Sequence, residues 1–275
     1  MNKKQAIGVF DSGYGGLTVL KEIVKLLPDY DYIYLGDNAR SPYGPRSFET
    51  VYKYTLEAVK YLFDCDCPLV IIACNTSSAK ALRNIQQKDL NHIDPTLRVL
   101  GVIRPLTESV DKYTHSKHVG VFGTVGTVTS GSYQIEINKF FPDIKVTQQA
   151  CPMWVPLVEN NEHHSDGADF FVKKYIDEIL RNDPKIDTII LGCTHYPLLL
   201  DKIRKYLACK YSIISQGEIV SVSLVNYLLR HRDMEARLTK GCSIKYYTTD
   251  NAEKFNQMAG IFMGHEVQSE KVSIA

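Results

Sequence analysis

Two cysteines stand where apolar runs end. "VIIACNTSS" (70–78) closes on Cys74 and continues with Asn75 and Thr76; "LGCTHYPLLL" (191–200) reaches Cys193 and continues with Thr194 and His195. A buried cysteine usually serves as a small apolar side chain, which is how Cys65, Cys67, Cys151, Cys209 and Cys242 read. A thiol at a strand end followed at once by polar residues is different, because a helix start or a nearby histidine stabilises its thiolate. One such thiol beside His195 would make a Cys–His nucleophile. That leaves the second thiol without a role. Two thiols on opposite sides of a carbon acid give both a role: one removes a proton from one face and the other supplies a proton to the other face. Such a pair inverts a stereocentre with no redox change and no cofactor.

Other loops supply polar partners. "DSGYGG" (11–16) lies between a strand and a helix, where glycines permit a tight turn and exposed amides suit a carboxylate or phosphate. It is not G-x-G-x-x-G and no Walker-type run is present, so a nucleotide site is poorly supported. "GDNARSPYGPRS" (36–47) holds two glycines and two prolines and reads as a rigid, ligand-facing loop. Thr124, Thr127 and Thr129 offer hydroxyls after another strand, with helix capping as the plainer reading. Cys65 and Cys67 form a C-x-C pair with no second pair at zinc spacing, so no metal site is expected.

The elements that position these residues alternate. "AIGVF" (6–10), "YIYLG" (32–36), "PLVIIA" (68–73), "LRVLGVI" (97–103), "HVGVF" (118–122), "DIKVT" (143–147), "DTIILG" (187–192), "YSII" (211–214) and "SIKYY" (243–247) read as strands. Near-continuous apolar character fits parallel strands covered on both faces. Helical spacing marks "LTVLKEIVKLL", "FETVYKYTLEAVKYLF", "IVSVSLVNYLLR" and "AEKFNQMAGIF". The alternation predicts an α/β protein with open, largely parallel sheets. A coarse echo, in which "AIGVF" and "HVGVF" each precede a polar loop and later a cysteine-ended strand, predicts two similar α/β units. Ligands bind beyond the carboxyl ends of strands in such sheets, so facing units would bring Cys74 and Cys193 to one interdomain cleft.

The chain has 275 residues and a formal net charge of +1, which gives no argument for a nucleic-acid partner. Apolar stretches are strand-length, which predicts no membrane span. The start "MNKKQAIGVF" reads as a first strand and not a signal peptide. Seven cysteines, an odd number, argue against a disulfide framework. A cytoplasmic protein is expected.

In order along the chain, "DSGYGGLTVL", "GDNARSPYG", "ACNTSS", "GVIRP", "GTVGTVTSGSY", "CPMWVPLVE" and "LGCTHYPLL" resemble the motifs of the cofactor-independent aspartate/glutamate racemase family, over essentially the whole sequence. The resemblance implies two pseudo-symmetric α/β domains with the active site between them, 1–98 plus 208–275 and 99–207. It implies interconversion of L- and D-glutamate for peptidoglycan, with no cofactor and no metal, by a protein that is commonly a homodimer. Residue by residue, Cys74 and Cys193 match the two catalytic cysteines, with Cys193 serving the L-enantiomer and Cys74 the D-enantiomer. Asp11, Glu159 and His195 match groups that assist proton transfer. Asp11, Ser12, Tyr43, Gly44, Asn75, Thr76, Thr124, Thr127, Thr194 and His195 match substrate contacts. The runs "SQGE" (215–218) and "TTDNAEKF" (248–255) depart from the common pattern. No N-terminal extension and no activator are expected. The rivals are racemisation of aspartate, a non-catalytic carboxylate-binding protein, and a thiol redox protein. The last has no C-x-x-C motif and needs the two cysteine Cα atoms within about 7 Å.

Overall fold

The computed structural model describes residues 5–207 and 209–274. The basic start (1–4) and position 208, an expected domain boundary, lie outside them. Among the described residues, ten strands form two sheets, both wholly parallel. The first contains β1 (Ile7–Asp11), β2 (Tyr32–Gly36), β3 (Leu69–Ile72), β4 (Arg98–Gly101), β9 (Ile244–Thr248) and β10 (Ser269–Lys271), in the order β10-β9-β2-β1-β3-β4. The second contains β5 (His118–Gly123), β6 (Lys145–Ala150), β7 (Thr188–Gly192) and β8 (Ser212–Ile214), in the order β6-β5-β7-β8.

Burial explains which strands were easiest to read. β1, β2, β3 and β7 are buried at every position, as strands covered on both faces must be. β6 is a sheet edge with no fully buried residue, and its polar sequence KVTQQA carries little strand signal. The run expected at 143–147 is therefore displaced to 145–150. The short edge strand β10 has the sequence SEK and no apolar signature at all.

Helices cover the sheets through spaced apolar faces. Leu17, Leu20 and Ile23 bury one face of the helix Leu17–Leu26. The helix Phe48–Asp64 starts where the Ser47 side chain accepts from the Thr50 amide, and it buries Val51, Thr55, Ala58, Val59 and Leu62. The helix Gln216–Arg230 packs on Leu17–Leu26 and carries the chain from the second sheet back to the first, where β9 pairs with β2. Buried side chains run without a break between the sheets, from Leu20 and Tyr34 to Phe122, Trp154 and Tyr196.

We propose that the two sheets are the cores of two domains. The boundaries expected after 98 and 207 cut across the pairing: β4 belongs to the first sheet and β8 to the second. The crossings therefore fall after Gly101 and Ile214. Short strands with weak flanking signals, such as β8, leave such boundaries unmarked in sequence. No helix among the described residues is long and apolar enough to cross a membrane.

Candidate active site

Each sheet delivers a cysteine from the carboxyl end of a strand beside its centre. Cys74 follows β3, whose Ile72 lies opposite Phe10 of β1; Cys193 follows β7, whose Gly192 lies opposite Gly123 of β5. Both thiols line one cavity of about 200 Å³, enough for a small molecule. Ser12, Tyr43, Gly44, Asn75 and Thr76 line it from the first sheet's loops, and Thr124, Glu159, Thr194 and His195 from the second's. Cys151, read from sequence as an apolar filler, also contributes to the wall, with Pro152, Val155 and Pro156. Its signal was the run "CPMWVPLVE", of which only Glu159 was singled out. Asp11 and Thr127 are fully buried and stand behind the wall rather than in it.

Cys74 is the N-cap of the short helix Asn75–Lys80. Its Sγ accepts from the Ser77 amide at 3.4 Å and lies 3.4 Å from Ser12 Oγ. Burial pushes this thiol up to about 11, and the Asp11 carboxylate pushes it in the same direction against those two hydrogen bonds. Asp11 is itself raised by burial, opposed by the charge of His195 and by the Gly13 amide. Its Oδ1 accepts from that amide at 2.9 Å and its Oδ2 accepts from Thr194 Oγ1 at 3.3 Å. Asp11 thus ties the loop after β1 to the Cys193 loop from below.

On the other side a chain of three groups runs Cys193–His195–Glu159. Cys193 Sγ is 3.8 Å from His195 Nδ1, and His195 Nε2 is 3.0 Å from Glu159 Oε1. Burial alone would lower the imidazole pKa, but the contacts with Cys193 and Glu159 prevail and hold His195 protonated well above its ordinary range. The ring therefore faces the Cys193 sulfur with one nitrogen while the other is anchored on Glu159. The ring of Phe262, from the C-terminal helix Ala252–Met263, meets His195 edge-on at 5.8 Å and limits its movement.

Three hydroxyls meet across the sheets. Thr76 Oγ1 lies 2.9 Å from Thr124 Oγ1 and 3.4 Å from Thr127 Oγ1, and the last two are 3.1 Å apart. Thr124 also caps the helix Val125–Ser130 by accepting from the Thr127 amide, so the capping reading and the site reading hold together. Hydroxyls of this kind donate to a carboxylate. Over the cavity, the Gly126 amide donates to Gly44 O at 2.8 Å, tying the 36–47 loop to the second sheet's side.

The 36–47 loop is braced by groups that the sequence left unassigned. Tyr43 Oη donates to the buried Asp37 carboxylate, which also receives Arg40 Nε at 2.7 Å and Thr249 Oγ1 at 2.8 Å. Thr248 Oγ1 donates to Asn38 Oδ1 at 3.0 Å. The departure at 248–255 therefore begins with two threonines that hold this loop. Among the described residues, no group of three or more His, Cys, Asp or Glu side chains is arranged to hold a metal ion.

Four likenesses to known proteins bear on this arrangement. The Asp/Glu/Hydantoin racemase family model matches residues 7–221. A glutamate racemase of Streptococcus gordonii is 39% identical over 273 residues, covering 98% of each chain. The glutamate racemase isoform RacE1 of Bacillus anthracis superposes with a TM-score of 0.89 at 35% identity, over 99% of this chain and 98% of that one. The Francisella tularensis glutamate racemase, solved in complex with D-glutamate, gives a TM-score of 0.87 at 34% identity, over 98% of both chains.

Proposed function

The chain belongs to the Asp/Glu/Hydantoin racemase family, and from that premise we propose that it is a glutamate racemase in which one thiol removes the Cα proton and the other delivers its own proton to the opposite face. The observation that carries the reading is that Cys74 and Cys193, from different sheets, line one small cavity, each at the carboxyl end of a strand. The α-proton of an amino acid is very weakly acidic, so a base must be held against it and aided by fixed charge.

The two sides of the cavity are built differently, and each thiol has its own support. His195, lying between Cys193 and Glu159, assists Cys193, which takes the proton of L-glutamate. Cys74, raised to about 11 by burial and by Asp11, holds its proton and delivers it to the opposite face. With D-glutamate the roles reverse: Cys74 is the base, supported by Ser12 and the Ser77 amide, and Cys193 the acid. Asp11, Glu159 and His195 act by supporting these thiols. Ser12, Tyr43, Gly44, Asn75, Thr76, Thr124 and Thr194 form the substrate's polar surroundings, with Thr127 fixing Thr76 and Thr124. The same kinship supports D-glutamate destined for peptidoglycan, a cytoplasmic location and a homodimer.

The test is direct. Circular dichroism of L- or D-glutamate should decay to zero with purified protein, at an unchanged rate in EDTA and without added pyridoxal phosphate. A stable signal at high protein concentration would sink the reading. Aspartate run alongside separates the nearest rival, because a shorter chain misplaces its carboxylate against the threonine hydroxyls, and rate is sensitive to such shifts.

A further inference from the structure

The run at 215–218, set apart in the sequence, reaches the site through one side chain. Gln216 opens the helix Gln216–Arg230, yet its amide is fully buried and closes a ring with Asn75 and Tyr133. Asn75 Nδ2 donates to Gln216 Oε1 at 2.9 Å, Gln216 Nε2 donates to Tyr133 Oη at 3.0 Å and to Asn75 Oδ1, and Tyr133 Oη donates to Asn75 Oδ1 at 2.8 Å. The three residues are 2%, 3% and 0% exposed. A buried polar ring holds its members in one arrangement because every alternative leaves a polar atom unpaired.

The ring touches both cysteine loops. Asn75 follows Cys74 directly. Tyr133, in the helix Ser132–Phe140, lays its ring on Gly192, the residue before Cys193, so closely that a Cβ there would lie 3.1 Å from Tyr133 Cε2. Asn75 lines the cavity, but its side-chain oxygen and nitrogen are both engaged by the ring. Its amide therefore serves the frame before it serves the substrate. Gln216 and Tyr133 supply the parts of the frame that come from neither cysteine loop.

We propose that Gln216 is a positioning residue that sets the placement of the Cys74 loop against Cys193, acting through Asn75. The proposal rests on the two-thiol racemase reading. It implies an asymmetry. Removing the Gln216 amide frees Asn75 and with it Cys74, while Tyr133 stays packed on Gly192 and keeps Cys193 in place.

Racemisation itself cannot show this, since it needs both thiols. Elimination of chloride from 3-chloroglutamate needs only the thiol that takes the α-proton. Gln216→Leu should lower elimination from the D-form, taken by Cys74, by about ten-fold or more, and leave the L-form within about two-fold. In an Asn75→Ala background the same substitution should add almost nothing. Tyr133→Phe, which removes one hydroxyl and keeps the ring, should give the same asymmetry and carries the test if Gln216→Leu does not fold. Equal losses from both enantiomers, additive losses with Asn75→Ala, or no change would overturn the role of Gln216. Should the wild-type protein fail to racemise glutamate, the underlying reading fails and this proposal falls with it; a racemising wild type with a symmetric variant sinks the proposal alone.

Discussion

Gly15→Ala adds one methyl group to the loop after β1 and tests the Cys193 side without touching a polar atom. Gly15 has no left-handed backbone to lose, so the effect is steric. A Cβ at this position would lie 2.2 Å from Thr194 Oγ1, 2.5 Å from His195 Nδ1 and 2.7 Å from His195 Cε1. Contacts under 3.0 Å are essentially never seen, so the groups must part by about 0.8 Å at Thr194 and about 0.5 Å at His195. Phe262 closes one escape route for the ring, which can move only by stretching its contacts with Cys193 at 3.8 Å or Glu159 at 3.0 Å. A hydrogen bond lengthened that far is near its limit of about 3.5 Å. Misplacement on the scale of 1 Å costs about 10²-fold in rate, or ~2.7 kcal/mol in the barrier. Crowding should also cost the fold roughly 1–3 kcal/mol. The assay is racemisation by circular dichroism beside thermal unfolding. We expect a folded protein with kcat/KM reduced about 10²-fold, and elimination from L-3-chloroglutamate lost more than from the D-form. Wild-type kinetics in a folded variant would show that His195 does not depend on its observed position.

Further perturbations follow from the same geometry. The Cys74 thiol, at about 11, must keep its proton when Cys193 is the base, so kcat/KM should hold through pH 9 and fall as pH rises toward 11. The limb should appear in both directions, because enantiomers of equal free energy require equal kcat/KM. Asp11→Asn removes the carboxylate charge that raises Cys74, so this alkaline limb should move to lower pH; a limb that stays or moves up contradicts the assignment. Glu159→Gln keeps the shape but removes the charge on His195 Nε2, and elimination from the L-form should fall while the D-form is spared. Thr76→Val removes the hydroxyl contact to Thr124 at 2.9 Å, while Thr124 keeps Thr127, and should cost roughly 0.5–1.5 kcal/mol in kcat/KM. Unchanged kinetics would make Thr76 structural only.

Much of the frame was written locally. YIYLG at 32–36 is a strand at those positions because every residue is buried, and a wholly apolar run bounded by polar residues can be read from neighbours alone. Cys74 and Cys193 were legible for the same reason: each ends such a run and begins a polar loop. What could not be read depends on distant partners. β6 and β10 are edge strands whose polar residues gain their hydrogen bonds from a neighbouring strand. Gln216 meets Asn75 across 141 positions and Asp37 meets Thr249 across 212; no periodicity links such pairs. Asp11 was expected against the substrate and stands behind the wall, because the glycine-rich turn folds its carboxylate onto the Gly13 amide.

The central claim is that each thiol serves one face of Cα. Reciprocal elimination in Cys74→Ser and Cys193→Ser measures it most directly, since serine is a far weaker base but nearly the same size. Racemisation should collapse in both variants. Cys74→Ser should retain chloride elimination from L-3-chloroglutamate and lose it from the D-form, and Cys193→Ser should do the reverse. If both variants lose the same enantiomer, or either still racemises glutamate at the wild-type rate, the two-thiol account is wrong.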